Sequence, residues 1–137
     1  MKVIVDNDVI LDVLLERKGF EYSRNLLTYV EQKQVEAYTS PIIFSNSFYI
    51  ISKLRNKKKA WSALKKIRLL FSVSKVTEKV IDLALASDFS DFEDAVQYYA
   101  ALEQKVDYLV TRNKKDYVAP QIPVITPQEF IAVVELS

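Results

Sequence analysis

Carboxylates crowd together directly after the first apolar run of the chain. Residues 3–5 are Val, Ile and Val, and Asp6, Asn7, Asp8 and Asp12 follow them. Like charges repel, and a buried charge without a partner is costly. The spacing therefore indicates either that solvent screens these side chains or that a cation binds among them.

Two acids from distant parts of the chain can reach the same place. Asp94 falls in the first turn of a predicted helix, and Asp116 falls in the loop after the strand that this helix precedes. A helix leading into a parallel strand begins at the carboxyl edge of the sheet, where ligands bind in open α/β sheets. Asp6, Asp94 and Asp116 are therefore predicted to meet at one rim around a divalent cation.

Each of the three acids also has a structural interpretation. Asp6 follows a strand and precedes an apolar helix, so it can serve as an N-cap. Asp94 is favoured at a helix N-terminus by the macrodipole, and Asp116 is a common turn residue. The metal hypothesis therefore depends on their shared location.

Composition narrows the chemistry further. The 137 residues include no Cys and no His, so thiolate ligands, imidazole ligands and a histidine general base are all excluded. A metal must be held by oxygen, which favours Mg²⁺ or Mn²⁺. The length fits one domain, residues 1–137. No apolar stretch reaches the roughly 18 residues of a membrane span, and Met1 does not open a secretory signal, so we expect a cytoplasmic protein without a membrane partner.

Strand patterns alternate with helix patterns along the whole chain. The predicted strands cover residues 3–5, 35–39, 72–76, 108–111 and 124–126. The predicted helices cover residues 9–15, 20–33, 41–51, 60–71, 78–85, 92–104 and 128–135. This order predicts an α/β fold with three layers, in which helices flank a mostly parallel sheet of four to five strands.

Two helices carry more detailed expectations. In the helix over residues 60–71, Trp61, Leu64 and Ile67 are predicted to face inward. The helix over residues 92–104 is predicted to begin with a capping box formed by Ser90 and Glu93. Leu85, at the end of the preceding helix, is predicted to be buried.

The pair Asp6 and Asp8 also fits the Asp-x-Asp motif of haloacid-dehalogenase-like phosphatases, in which the first Asp is a nucleophile. That motif continues with Thr or Val where this chain has Ile10. Those phosphatases also place a Gly-Asp or Asp-Asp pair after a later strand, where this chain has Thr111-Arg112-Asn113. Both departures count against the phosphatase alternative.

Three blocks taken together resemble the signature segments of PIN domains, and most closely the VapC-type ribonucleases of bacterial toxin–antitoxin pairs. The blocks are residues 6–12 (DNDVILD), 91–95 (DFEDA) and 111–117 (TRNKKDY), and the similarity extends through residues 122–130. The resemblance implies a PIN-like fold, cleavage of single-stranded RNA with Mg²⁺ or Mn²⁺, an antitoxin partner and a homodimer.

The resemblance also assigns roles by position. Asp6, Asp94 and Asp116 match the catalytic, metal-binding acids, and Asp91 matches an accessory ligand one helical turn from Asp94. Thr111 and Asn113 match polar residues that shape the rim. Where many relatives carry a Glu in the third helix, this chain has Asn46, which is assigned an accessory role. That departure keeps a second function open: a PIN-fold module with weak or no catalysis that binds RNA or a protein partner.

The middle of the chain is basic. Residues 37–77 contain no Asp or Glu and nine Lys or Arg. Such a run is either a solvated helix face or a surface that binds phosphates beside the acidic rim. In the second case the predicted RNA contacts are Lys53, Arg55, Lys57, Lys58 and Arg112. Unpaired bases would stack on aromatic side chains such as Tyr49 or Tyr117.

Overall fold

The computed structural model describes residues 1–118 and 120–136, which form five strands and seven α-helices. The strands are β1 Lys2–Val5, β2 Glu36–Thr39, β3 Ser72–Val73, β4 Tyr108–Val110 and β5 Val124–Ile125. The helices are α1 Asn7–Leu14, α2 Glu21–Glu31, α3 Ile42–Leu54, α4 Lys57–Leu70, α5 Glu78–Leu85, α6 Phe92–Gln104 and α7 Pro127–Glu135. A single 3₁₀ turn at Lys114–Asp116 follows β4.

The strands lie side by side in the order β3-β2-β1-β4-β5, and every neighbouring pair is parallel. The predicted α/β class with a parallel sheet is confirmed. Because β1 lies at the centre, its carboxyl end is flanked by the carboxyl ends of β2 and β4. This arrangement brings Asp6 to the middle of the rim, where ligands bind in sheets of this kind.

The two faces of the sheet pack against different helices, as the period of two in a strand requires. Val3 and Val5 point into a cluster with residues of α1, α2 and α7, including Leu26 and Phe130. Ile4 points to the opposite face, where it packs in a cluster with residues of α6. Both faces are therefore covered by helices, which makes the three layers that the sequence predicted.

Several expectations about individual side chains are wrong. Trp61 is 58% exposed, with an edge contact to Phe48, and Leu85 is 69% exposed. In α4, Ile67 is buried and Leu64 is partly buried against the core, as predicted, but Ala60 takes the inward place in the first turn that was predicted for Trp61. The β3 strand ends at Val73 because its partner β2 ends at Thr39, which leaves no edge for a longer strand to pair with.

Among the described residues, no helix combines the length and the apolar character that crossing a membrane would require.

Candidate metal and nuclease site

Asp6 lies at the centre of the rim because β1 and β4 are in register at their carboxyl ends. Val5 pairs with Val110, so Asp6 stands beside Thr111, and the Asp6 N–H donates to the Val110 carbonyl at 2.9 Å. The Asp6 backbone occupies the N-cap position of α1, but its side chain makes no capping bond. The structural interpretation of this carboxylate as a helix cap is therefore wrong.

Two hydroxyl groups hold the Asp6 carboxylate instead. Thr111 Oγ1 donates to Asp6 Oδ2 at 2.7 Å, and the Tyr117 hydroxyl donates to the same oxygen at 3.2 Å. Burial raises the pKa of Asp6, while the hydrogen bond from Thr111 opposes the rise. Because both bonds fall on Oδ2, the carboxylate is fixed in direction.

Tyr117 and Gln97 are parts of this arrangement that sequence reasoning missed. Tyr117 is only 4% exposed, and Gln97 Nε2 donates to its hydroxyl oxygen at 2.7 Å. Burial and the negative charge of Asp6 raise the pKa of Tyr117, so its hydroxyl stays protonated and remains a donor. The predicted stacking role is wrong for Tyr117, whereas Tyr49 is 60% exposed. The signal in the sequence was a Tyr beside Asp116 and a polar Gln among the apolar positions of the helix.

Helix α6 begins at the same rim, and three acids lie at its start: Asp91, Glu93 and Asp94. Its N-cap is Asp91, whose side chain accepts from the backbone N–H of Asp94 at 3.0 Å. The predicted capping box of Ser90 and Glu93 is therefore wrong by one residue, because Asp91 takes the N-cap position for which Ser and Asp are about equally suited.

Glu93, which was predicted to complete the capping box, contacts another helix. Its Oε2 accepts a hydrogen bond of 2.6 Å from Nδ2 of Asn46 on α3. Both side chains line the rim cleft described next.

A cleft of about 240 Å³ lies at the rim, between the end of β1, the start of α6 and the 3₁₀ turn. The structure brings all three predicted acids to it: Asp6 is buried, Asp94 is half-buried and Asp116 is exposed. The carboxylates that line this rim cleft are Asp6, Asp8, Asp91, Glu93, Asp94 and Asp116. Of the described residues that line it, none is a Lys or an Arg.

The electrostatics of the rim cleft follow from this one-sided charge. Desolvation, then the negative charges of Asp6, Asp91, Asp116 and Asp8, raise the pKa of Asp94 to about 7. A carboxyl group with a pKa of about 7 is partly protonated at neutral pH unless a cation lies nearby. The rim cleft therefore has more negative charge than its own side chains can balance.

The oxygen atoms that line the rim cleft are of the types that a hard divalent cation binds. The rim cleft offers carboxylate oxygens together with Oδ1 of Asn7, a buried oxygen that accepts no hydrogen bond in the structure. Over residues 1–118 and 120–136, no three acidic side chains are already drawn together as a closed set of ligands. The residues thus fit such an ion in type and in charge, and they form an open site.

The remaining rim residues of the 111–117 block have distinct partners. Thr111 holds Asp6 and also accepts from the Asn113 N–H, while Asn113 Nδ2 donates to Asp8 at 3.3 Å. Arg112 Nε lies 2.7 Å from Asp12 Oδ2 in an ion pair that is not an aligned hydrogen bond, and its Nη2 lies 3.9 Å from Asp8. Arg112, a predicted RNA contact, thus serves as an internal cation in this structure.

The other predicted RNA contacts lie along one arm of the molecule, the α3–α4 hairpin. Lys53, Lys57 and Lys58 are on its two helices, and Lys53 Nζ sits over the Tyr49 ring at 4.9 Å from its centroid. Arg55, at the turn, turns back to the carbonyl oxygen of Leu15. Asn46 and Ile50 of α3 line the rim cleft, so the arm extends directly from the acidic site.

Comparison with known proteins gives consistent matches. A sequence profile described as PIN domain matches residues 2–115. Ribonuclease VapC1 of Aquifex aeolicus (strain VF5) is 31% identical over an alignment of 135 positions, which covers 94% of this chain and 92% of the relative.

Solved structures match the fold at lower identity. VapBC2 of Rickettsia felis, bound to a promoter DNA fragment, has a TM-score of 0.70 at 16% identity and covers 92% of this chain and 98% of its own. A toxin–antitoxin complex from Klebsiella pneumoniae has a TM-score of 0.68 at 19% identity and covers 91% and 97%. At these identities the likeness supports the fold alone.

Proposed function

The chain belongs to the PIN domain family, and from that premise we propose that it is a divalent-metal-dependent endoribonuclease that acts as the toxin of a toxin–antitoxin pair. The observation that carries the proposal is the rim cleft, whose described lining has six carboxylates and no lysine or arginine. Support for the reaction comes from the relative named as a ribonuclease, and support for the antitoxin partner comes from neighbours that are toxin–antitoxin complexes.

Each acid has a stated task. Asp6, Asp94 and Asp116 would hold Mg²⁺ or Mn²⁺, with Asp91 as an accessory ligand. When bound, the cation polarises a phosphodiester oxygen and lowers the pKa of a water molecule. Asp94 orients the attacking water, since it is half-buried and faces the open rim cleft.

The surrounding residues keep the acids in place. Thr111 and Tyr117 fix the direction of the Asp6 carboxylate, and Gln97 fixes the Tyr117 hydroxyl. Asn113 ties Asp8 to the end of β4. Side chains locked by such hydrogen bonds hold ligands with little reorganisation.

The α3–α4 hairpin binds the RNA backbone. Lys53, Lys57 and Lys58 offer charge beside the rim cleft, and Tyr49 offers an exposed ring on which an unpaired base can stack. A surface of this type favours single-stranded RNA with weak sequence preference. We extend the proposal to a homodimer acting in the cytoplasm.

Cleavage is tested with the purified full chain and a labelled RNA that contains a single-stranded loop. We expect cutting with Mn²⁺, none with EDTA, and a loss of at least 100-fold in Asp6→Asn and Asp94→Asn. The matched control is Asp82→Asn, which removes an exposed acid of α5 outside the rim cleft. Equal cutting by Asp94→Asn and by the wild type would contradict the proposed site.

The second function, a binding module without catalysis, is separated by calorimetry. A nuclease of the proposed type takes up Mn²⁺ at a site that Asp6→Asn abolishes. Absence of Mn²⁺ uptake at that site, together with no cutting of RNA, would favour the module, and Asn46 is the residue that keeps this alternative open.

RNA binding is measured separately in the Asp94→Asn background, so that no cutting interferes. Replacing Lys53, Lys57 and Lys58 by Ala should lower the slope of log affinity against log salt by about 2, at roughly 0.7 per lost phosphate contact. The control is a triple variant of lysines elsewhere, Lys18, Lys33 and Lys105 to Ala. Equal slopes in both variants would place the RNA on another surface.

A further inference from the structure

One side-chain hydrogen bond joins α3 to the start of α6 at the rim. Asn46 and Glu93 are 47 positions apart in sequence, and the bond from Asn46 Nδ2 to Glu93 Oε2 is 2.6 Å. Hydrogen bonds to an ionised carboxylate are shorter and stronger than neutral ones. Holding an exposed Glu in one rotamer costs conformational entropy. The bond therefore favours one rotamer among the many that the free side chain would occupy.

The position selected is over the rim cleft. As the second residue of α6, Glu93 could point into solvent or toward its own helix start, where acids are favoured. Asn46 instead draws it across to α3, and both side chains line the rim cleft with Asp6, Asp94 and Asp116. A pure surface contact would not require a carboxylate to be added to a site already crowded with negative charge.

We propose that Glu93 is a further metal-binding carboxylate of the rim cleft and that Asn46 is its positioning residue. This inference rests on the proposed function. A neutral amide is the suitable group for the task, because a carboxylate at position 46 would repel Glu93 and a lysine would neutralise it. The amide orients the acid and leaves its charge for the cation.

The test is Mn²⁺ binding by calorimetry on the full chain, with no RNA present. Glu93→Gln should weaken Mn²⁺ binding by about tenfold, since losing a ligand or its support costs 10- to 100-fold in metal affinity. Gln keeps the length of the side chain and an oxygen that can still accept from Asn46. The unfolding midpoint in EDTA should therefore change little.

Two further variants separate ligation from structure. Asn46→Ala should weaken Mn²⁺ binding less than Glu93→Gln does, because it frees the acid without removing it. Glu93→Asp keeps the carboxylate at position 93 and should retain more of the Mn²⁺ affinity than Glu93→Gln does. The matched control is Glu78→Gln, an exposed acid in the first turn of α5, which should bind Mn²⁺ as the wild type does.

The outcomes are distinguishable. Unchanged Mn²⁺ affinity in Glu93→Gln, with affinity lost in Asp6→Asn, would overturn this inference and leave the proposed function standing. Failure of the wild type to bind Mn²⁺ at all would overturn both. A tenfold loss in Glu93→Gln that Glu93→Asp largely avoids would support the inference, because a merely structural role depends on the bond to Asn46, which Gln can keep.

Discussion

Asp6 and Asp12 lie in the same seven-residue stretch of the chain, but they belong to two groups of charged side chains with opposite surroundings. Asp12, on the buried side of α1, is fully buried and lies between two arginines. Asp6 faces the rim cleft, where the neighbouring charges are other carboxylates. The first group is balanced by the protein itself, and the second is not.

The balanced group is built from three elements. Arg17 Nη1 lies 2.8 Å from Asp12 Oδ1, and Arg112 Nε lies 2.7 Å from Asp12 Oδ2. The Arg112 guanidinium also lies 5.0 Å from the centre of the Phe20 ring, a distance suited to a cation–π contact. Together these contacts tie the loop after β4 to α1 and to the start of α2.

The unbalanced group shows what the arginines prevent. Without a cation nearby, Asp94 has its pKa raised to about 7, although it is only half-buried. The chain has arginine available at this rim, since Arg112 reaches Asp8 at 3.9 Å, yet it faces Asp12. The described lining of the rim cleft therefore keeps negative charge that no lysine or arginine of that lining compensates.

Removing a cation from the balanced group should have the largest effect. Arg112→Met leaves Asp12 buried with one arginine, and breaking a buried pair from one side costs about 3 kcal/mol. Urea unfolding measures the loss. The control is Lys115→Met, an exposed neighbour in the same loop, which should cost under about 0.5 kcal/mol. A cost for Arg112→Met as small as the control's would mean that the arginine is not an internal counter-ion.

Removing a negative charge from the unbalanced group should raise the free energy of unfolding. Asp94→Asn is expected to stabilise the metal-free protein by about 1–2 kcal/mol at pH 8, after allowance for solvent screening of a half-exposed group. Unfolding in EDTA measures this gain. A loss of stability at pH 8 would show that the negative charge on Asp94 is already compensated.

The gain from Asp94→Asn should depend on pH with a definite sign. Because the folded pKa of Asp94 is about 7 and the unfolded pKa is near 3.8, the folded state holds the proton over the interval between them. The contribution of Asp94 to stability is then most favourable below pH 3.8 and is lost as pH rises through 7. Asp94→Asn should flatten that part of the profile, and Asp82→Asn should not.

On the proposed function, adding Mn²⁺ should stabilise the wild type by a similar amount. Mn²⁺ at tenfold over its dissociation constant adds about 1.4 kcal/mol, because it binds the folded state alone. The shift in unfolding midpoint should vanish in Asp6→Asn and persist in Arg17→Met once its lower starting stability is subtracted. An equal shift in Asp6→Asn would place the ion elsewhere.

The sequence predicted the acidic group better than the balanced one, for a physical reason. Asp6, Asp94 and Asp116 follow from strand ends and helix starts, which periodicity and capping residues reveal. Their meeting in one cleft followed from the parallel sheet. The partnership of Asp12 with Arg112 joins positions a hundred residues apart through side-chain rotamers, which no local pattern encodes. Glu93 was misread because Ser90 and Asp91 are adjacent and almost equally good N-caps.

Glu129 lies outside both groups. Changes to its contacts should have the smallest effect on stability, and they provide a comparison for the changes at Asp94 and Arg112. It is about half-exposed and accepts from Lys114 Nζ at 3.0 Å, while its Oε1 also accepts from the Thr126 N–H within the capping box of α7. An exposed pair is worth little, so Lys114→Ala should cost about 0.5 kcal/mol in low salt and almost nothing in 0.5 M NaCl. The cost of Arg112→Met should survive that salt.

The pH dependence distinguishes the parts of the Glu129 contact. The Thr126 N–H, first, and then Lys114 lower the pKa of Glu129, so its contribution is present above its unfolded value of 4.5 and is lost as pH falls through the folded value. Because the backbone bond is the larger cause, most of this acid-side loss should remain in Lys114→Ala and disappear in Glu129→Gln. If Lys114→Ala removed it entirely, the charge pair, and not the cap, would stabilise the start of α7.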